Sequence, residues 1–203
     1  MLCPSDPAPK LFALTGVLDE EADGAPRKRK GKGPPKGPPP PDLEGARRDG
    51  EVEDEIYPPV DEGLVLFQIA RSNYVGVFGT LEIEENPAAG DGTFFFLSRT
   101  RLAQVTDGLS ITVMVGERRA KQGGSLWQGV IKQSNAPLPR ILGIADHPPN
   151  HRAQHFDDFT SYHPAGVHFL HGDGSVSRYS NSINLAVYQA FCTIGGGEAV
   201  NGN

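Results

Sequence analysis

Sulfur and tryptophan are scarce in this chain: its 203 residues include two cysteines, two methionines and one tryptophan. Cys3 and Cys192 lie near opposite ends, form no C-x-x-C pair and are too few for a four-thiolate site, so a structural zinc is excluded on this reading. Long apolar runs are missing as well. No window approaches the roughly 20 apolar residues that cross a bilayer, and the N-terminus shows no basic segment leading into an apolar stretch. Taken literally, the sequence describes a chain that stays in the cytoplasm. Positive charge is in deficit, with a net charge of -6 and a pI near 5.5. The surface as a whole will not seek phosphate backbones, and no nucleic-acid partner is expected. H-E-x-x-H, P-loop and G-x-G-x-x-G patterns do not occur, and Ser110 in Gly108-Leu109-Ser110-Ile111-Thr112 lacks the second glycine of a nucleophile elbow. The expectation is that the protein is not an enzyme; a hydrolase using Ser110 with a histidine stands only as a third reading.

What the chain has in quantity is glycine (25) and proline (18), with 37% hydrophobic residues, enough for one modest core and much loop. Composition divides it into residues 1–18, a Pro/Gly-rich charged excursion over 19–60, and a β-rich domain over 61–203. The excursion carries a basic block, Arg27-Lys28-Arg29-Lys30-Gly31-Lys32, then Gly33-Pro34-Pro35-Lys36-Gly37 and four prolines, then Glu51, Glu53, Asp54 and Glu55. Almost nothing in it can be buried, so it reads as a solvated insertion whose charges neutralise each other.

Beyond Pro59 the pattern is strand-like. Segments 64–69, 73–78, 93–97, 101–105, 111–115 and 126–131 combine β-formers with turn signals at Asp91-Gly92 and Asp107-Gly108. Residues 134–158, with Pro137, Pro139, Pro148 and Pro149, read as a long surface loop. A hairpin follows, 166–171 and 175–179 joined through Gly172-Asp173-Gly174, and then a helix over 183–193 that stops at Gly195-Gly196-Gly197. The fold class is α+β, mainly β: an antiparallel meandering sheet with a C-terminal hairpin and a short final helix.

Candidate chemistry is thin. His147, His151 and His155 are spaced for one helical face, but Pro148 and Pro149 break any helix there, which makes them solvated loop histidines rather than a metal site. Glu117 with Arg118 and Arg119 reads as a solvated charge cluster, and Trp127 as core. In an oxidising compartment a Cys3–Cys192 disulfide would tie the first segment to the last helix; two buried free thiols are the alternative.

In order along the chain, Leu2-Cys3-Pro4-Ser5-Asp6-Pro7, Ser72-Asn73-Tyr74-Val75-Gly76, Val105-Thr106-Asp107-Gly108-Leu109-Ser110, Val115-Gly116-Glu117 and the final hairpin form a recognisable series. Within the last, His163 is followed by nine residues and then Asp173-Gly174. This series resembles a large group of bacterial prepilin-like (pseudopilin-like) proteins carrying a domain of unknown function, marked by a C-terminal H-x9-DG element. The resemblance implies a pilin-like head whose N-terminal apolar helix lies upstream of the present sequence. It also implies a structural or assembly subunit at the cell envelope or surface, with other pilin-like subunits or secretion components as partners and membrane contact only through that helix. A His163–Asp173 pair is expected from the signature, with Asp173 and Gly174 making the turn. Related major pseudopilins bind calcium in a C-terminal loop, which singles out Asp173 with Asp157 or Asp158 as calcium ligands. The alternative function is therefore an exported calcium- or ligand-binding module; otherwise no cofactor is expected.

Overall fold

The computed structural model describes residues 2–17, 63–120 and 124–196; the charged Pro-rich excursion lies outside them. The described residues form two sheets. Strand β1 (Leu11–Gly16) pairs antiparallel with β2 (Leu64–Ala70), with a register slip between Leu14 and Thr15, so the excursion sits in the connection of one long-looped hairpin. The second sheet contains β3 (Tyr74–Gly79), β4 (Val113–Glu117), β5 (Leu142–Ile144), β6 (Val167–His171) and β7 (Val176–Tyr179) in the spatial order β5-β3-β4-β6-β7. The one α-helix among the described residues, α1 (Leu185–Cys192), follows the β6–β7 hairpin, and its first turn is capped by the Asn184 side chain accepting from Val187 N at 3.2 Å. The protein is thus mainly β, with the hairpin and short final helix where the residue pattern puts them.

Alternation along β3 decides where the core lies. Val75 and Val77 face one side, where they meet Val113, Phe159, Val167, Phe169 and the α1 residues Tyr188 and Cys192. Phe78 faces the other side with Ile83, Leu142 and Ile144. Gly116 in β4 is glycine because the rings of Phe159 and Phe169 lie against its Cα; a Cβ there would fall 2.3 Å from Phe159. Phe169 is the hub of an aromatic layer, 5.1 Å from Phe159, 5.1 Å from Tyr179 and 5.7 Å from Tyr188 between ring centroids.

Several expected strands are something else. Residues 93–97 are turn, held to the sheet by Phe94 N donating to Val77 O at 2.9 Å, with Leu97 at φ 61°. Residues 102–104 are one turn of 3₁₀-helix, and 126–131 are bends that bury Leu126 but leave Trp127 65% exposed. Trp127 is therefore surface, not core. Conversely, 134–158 is no mere surface loop: it contains β5 and the fully buried Arg140 and Ile144. β5 pairs parallel with β3, which adds one parallel edge to an otherwise antiparallel sheet. Three residues flanked by prolines carry no readable period, so only pairing partners already in place select that strand.

Candidate functional site

The H-x9-DG element works as two separate fastenings. At the far end of β6, Asp173 Oδ1 accepts from Ser175 N at 2.9 Å and Ser175 Oγ at 2.7 Å, and Gly174 takes φ 88°, closing the hairpin. Those two bonds hold the Asp173 carboxyl below the usual range. At the near end His163 N accepts no such role; it donates to Ser161 Oγ at 3.1 Å, while the ring Nε2 stands 3.4 Å from Glu117 Oε1 and 3.5 Å from Cys3 Sγ. β6 lies between the two ends, and five residues of strand span roughly 16 Å. The expected His163–Asp173 pair is therefore not formed, and His163 pairs with Glu117 instead.

Glu117 and Arg118 are not solvated charges, as their sequence suggests, but buried ones, only 3% and 1% exposed. Glu117 Oε2 accepts from His168 N at 2.9 Å and lies 3.1 Å from His168 Nδ1. The N-terminal segment closes over this end of the sheet. Cys3 N donates to Asn73 Oδ1 at 2.9 Å, Asn73 Nδ2 donates to Asp6 Oδ2 at 2.6 Å, and Asp6 pairs with Arg71 at 2.9 Å. Burial alone would raise the Asp6 carboxyl, but hydrogen bonds from Ala8, Arg71, Ala120 and Asn73 bring it below its ordinary value. Cys3 is free here, and Cys192 is free in the main core under α1, where burial pushes its thiol up; the disulfide alternative is not formed.

A second polar cluster lies where β5 leaves the sheet. Ile144 N donates to Asp157 O at 3.0 Å, Ala145 N donates to Gly79 O at 2.8 Å, and Ile144 bridges to Asp158, so residues 146–158 fold back on themselves. A turn closed by His151 N donating to Pro148 O, with Asn150 at φ 57°, reverses the chain. This brings Asp146, His147, His155 and Asp158 together, their donor atoms all within 4.8 Å of one another. His147 Nδ1 is 3.1 Å from Asp146 Oδ1 and 3.3 Å from Asp158 Oδ2, and His155 Nδ1 is 3.1 Å from Asp146 Oδ2. His151 only stacks on His147, ring centroids 4.8 Å apart. Asp158 is 1% exposed. Burial first, and then Asp146 opposite, push its carboxyl up to about 10, whereas Asp146 is lowered despite burial by Asp158, His147 and His155.

Buried Arg118 connects the clusters. Its backbone O accepts from Asn73 Nδ2 at 3.1 Å, and its guanidinium donates to the carbonyl oxygens of Pro139, Leu142, Asp157 and Asp158. The proposed calcium set does not assemble. Asp173 is exposed against Leu109 in the β6–β7 turn, Asp157 contributes its backbone carbonyl, and β3 and β4 separate β6 from the Asp158 end of β5. Ser110 lies exposed in the turn before β4. The sequence reading missed Asp146 as a partner of the histidines, although an acid directly beside His147 and another three residues after His155 were visible.

A third feature is apolar. A groove of about 420 Å³ runs between the turn at Phe94–Leu97 and Trp127, with Leu138 and Ile141 in its floor. Leu97 is 80% and Phe96 43% exposed on its rim.

Neither a curated protein nor a solved structure matches the chain. A family model does match, over residues 1–186, taking in the N-terminal clasp, both sheets and the whole H-x9-DG element. The chain belongs to that family, described as a protein of unknown function (DUF1559).

Proposed function

We propose that this chain is the head of a non-enzymatic, pilin-like structural or assembly subunit of a bacterial surface or secretion apparatus, working at the cell envelope among other pilin-like subunits. The observation that carries this reading is the aromatic groove. Trp127, Phe96 and Leu97 stand in solvent around a concave apolar surface, and exposed patches of this kind mark protein contacts, where aromatic residues are enriched. The buried charges support the same reading, because Arg118, Arg140 and Glu117 are used to tie loops and strands together. Moored through Cys3 and Asp6, the N-terminal segment passes any pull on that end straight into the sheet.

The test places a photo-crosslinking amino acid at Trp127 in cells that produce the protein and asks what it captures and where. The expected result is envelope-fraction protein crosslinked to another pilin-like subunit, and loss of a crosslink introduced at Leu97 when Trp127→Asp is added. Soluble, monomeric protein with no subunit adduct would overturn the reading. The alternative, an exported ligand-binding module, is favoured by one specific observation, the Asp146–Asp158 cluster.

A further inference from the structure

We propose that Asp146, His147, His155 and Asp158 form a zinc site that pins residues 146–158 to the end of β5. Metal–donor bonds of about 2.0–2.2 Å put tetrahedral donors roughly 3.3–3.6 Å apart. The contacts at 3.1, 3.3 and 3.1 Å between imidazole nitrogens and carboxylate oxygens sit close to that spacing, and all four donors fit within 4.8 Å. A separate observation points to a ligand. Asp158 is almost wholly buried, yet its Oδ1 has no hydrogen-bond partner, and the same is true of Asp146 Oδ1 and His147 Nδ1, despite two carboxylate oxygens beside that nitrogen. Buried polar atoms are normally satisfied, and three unsatisfied ones in a single cluster leave room for a cation to satisfy them together.

The donor types select the ion. Two imidazoles with two carboxylates suit zinc, whereas calcium takes six to eight oxygens and magnesium keeps its waters. Side-chain exposures of 24% for His147 and 35% for His155 leave one side open for the ion to enter. Asp158 is pre-oriented by its own loop, with Oδ2 accepting from His155 N at 2.6 Å. Ala145, next to the first ligand, is tied to α1 through Gln189 Nε2 donating to its carbonyl at 2.9 Å, so the ion would brace the β5 end against the helix. Counting cysteines missed the site because it uses none. The Cys3–Glu117–His163 group has comparable residue types, but no buried side-chain nitrogen or oxygen in it stands without a hydrogen-bond partner. This inference rests on no part of the structural-subunit reading.

The test uses the full chain, tag-free and stripped of metal with a chelator, titrated with zinc by calorimetry and with cobalt by visible absorption. One equivalent should bind, with the intense absorption of four-coordinate cobalt, displaced by zinc and not by millimolar calcium. His155→Gln and Asp146→Asn should each weaken binding by more than about 100-fold, since even losing an outer partner of a ligand costs 10–100-fold. His151→Gln and Cys3→Ser should bind as the parent does. Asp158→Asn keeps the shape of a buried side chain, so it should stay folded by circular dichroism and still lose zinc. No binding, binding untouched in His155→Gln and Asp158→Asn, or binding lost with Cys3→Ser would each overturn the assignment.

Discussion

The two polar clusters are built from the same kinds of residue and solve opposite problems. In the N-terminal clasp every buried charge meets a countercharge or a donor: Asp6 faces Arg71, and Glu117 faces His163 and His168. At the end of β5, two carboxylates face one another across two histidines, and Asp146 Oδ1, His147 Nδ1 and Asp158 Oδ1 make no hydrogen bond. The first arrangement neutralises its charges pair by pair and fastens the chain, although Arg71 Nε and Nη1 make no hydrogen bond within it. The second sets two acids against each other across two histidines, so an added cation would balance it, whereas the first already holds its own cation in Arg71. Composition does not separate them; the sign and satisfaction of the neighbouring atoms do.

Arg118 is where the β5 end can be broken while the clasp keeps its bond to the Arg118 backbone oxygen. Arg118→Met removes donors from four buried or part-buried carbonyls, and at 1–3 kcal/mol for each group left unsatisfied the expected loss is at least about 4 kcal/mol, read as a large drop in the urea midpoint. Asp6→Asn breaks only the clasp. Leaving Arg71 buried without its countercharge should cost about 3 kcal/mol at pH 7. Because the folded Asp6 pKa is depressed, its contribution is present above the unfolded value near 3.9 and fades as pH falls through the folded one. The gap between Asp6→Asn and the parent should therefore close in unfolding curves taken toward pH 2, and a gap constant with pH would refute the pairing.

Zinc at about 100 times its Kd should stabilise the parent by about 2.7 kcal/mol. It should do the same for Asp6→Asn and nothing for His155→Gln, which sharpens the separation of the two regions by thermal melts. The smallest effect belongs to Trp127→Ser. So exposed a side chain should change stability by less than about 0.5 kcal/mol, so loss of subunit crosslinks in that variant would report contact and not misfolding.

Legibility in the sequence followed how local each feature is. The β6–β7 hairpin could be read because Gly172-Asp173-Gly174 supplies its turn chemistry within three residues, and α1 because its apolar spacing ends at a glycine run. Segment 93–97 was misread because three phenylalanines look the same whether they pair as a strand or fold over a sheet as a lid. The same limit applied to Trp127, whose size predicts burial but whose bend turns it outward.

The sequence by itself determined the mainly β class, the hairpin, the closing helix and the family, because turn residues, β-formers and motif order act over short distances. Tertiary structure alone decided the partners. His163 met Glu117 and Cys3 in place of Asp173 because a strand's length separates the signature residues, and Asp146 met Asp158 because pairing of β5 with β3 folds the intervening loop back. Contacts between residues far apart in the chain depend on which backbone groups pair first, and no local pattern of side chains encodes that.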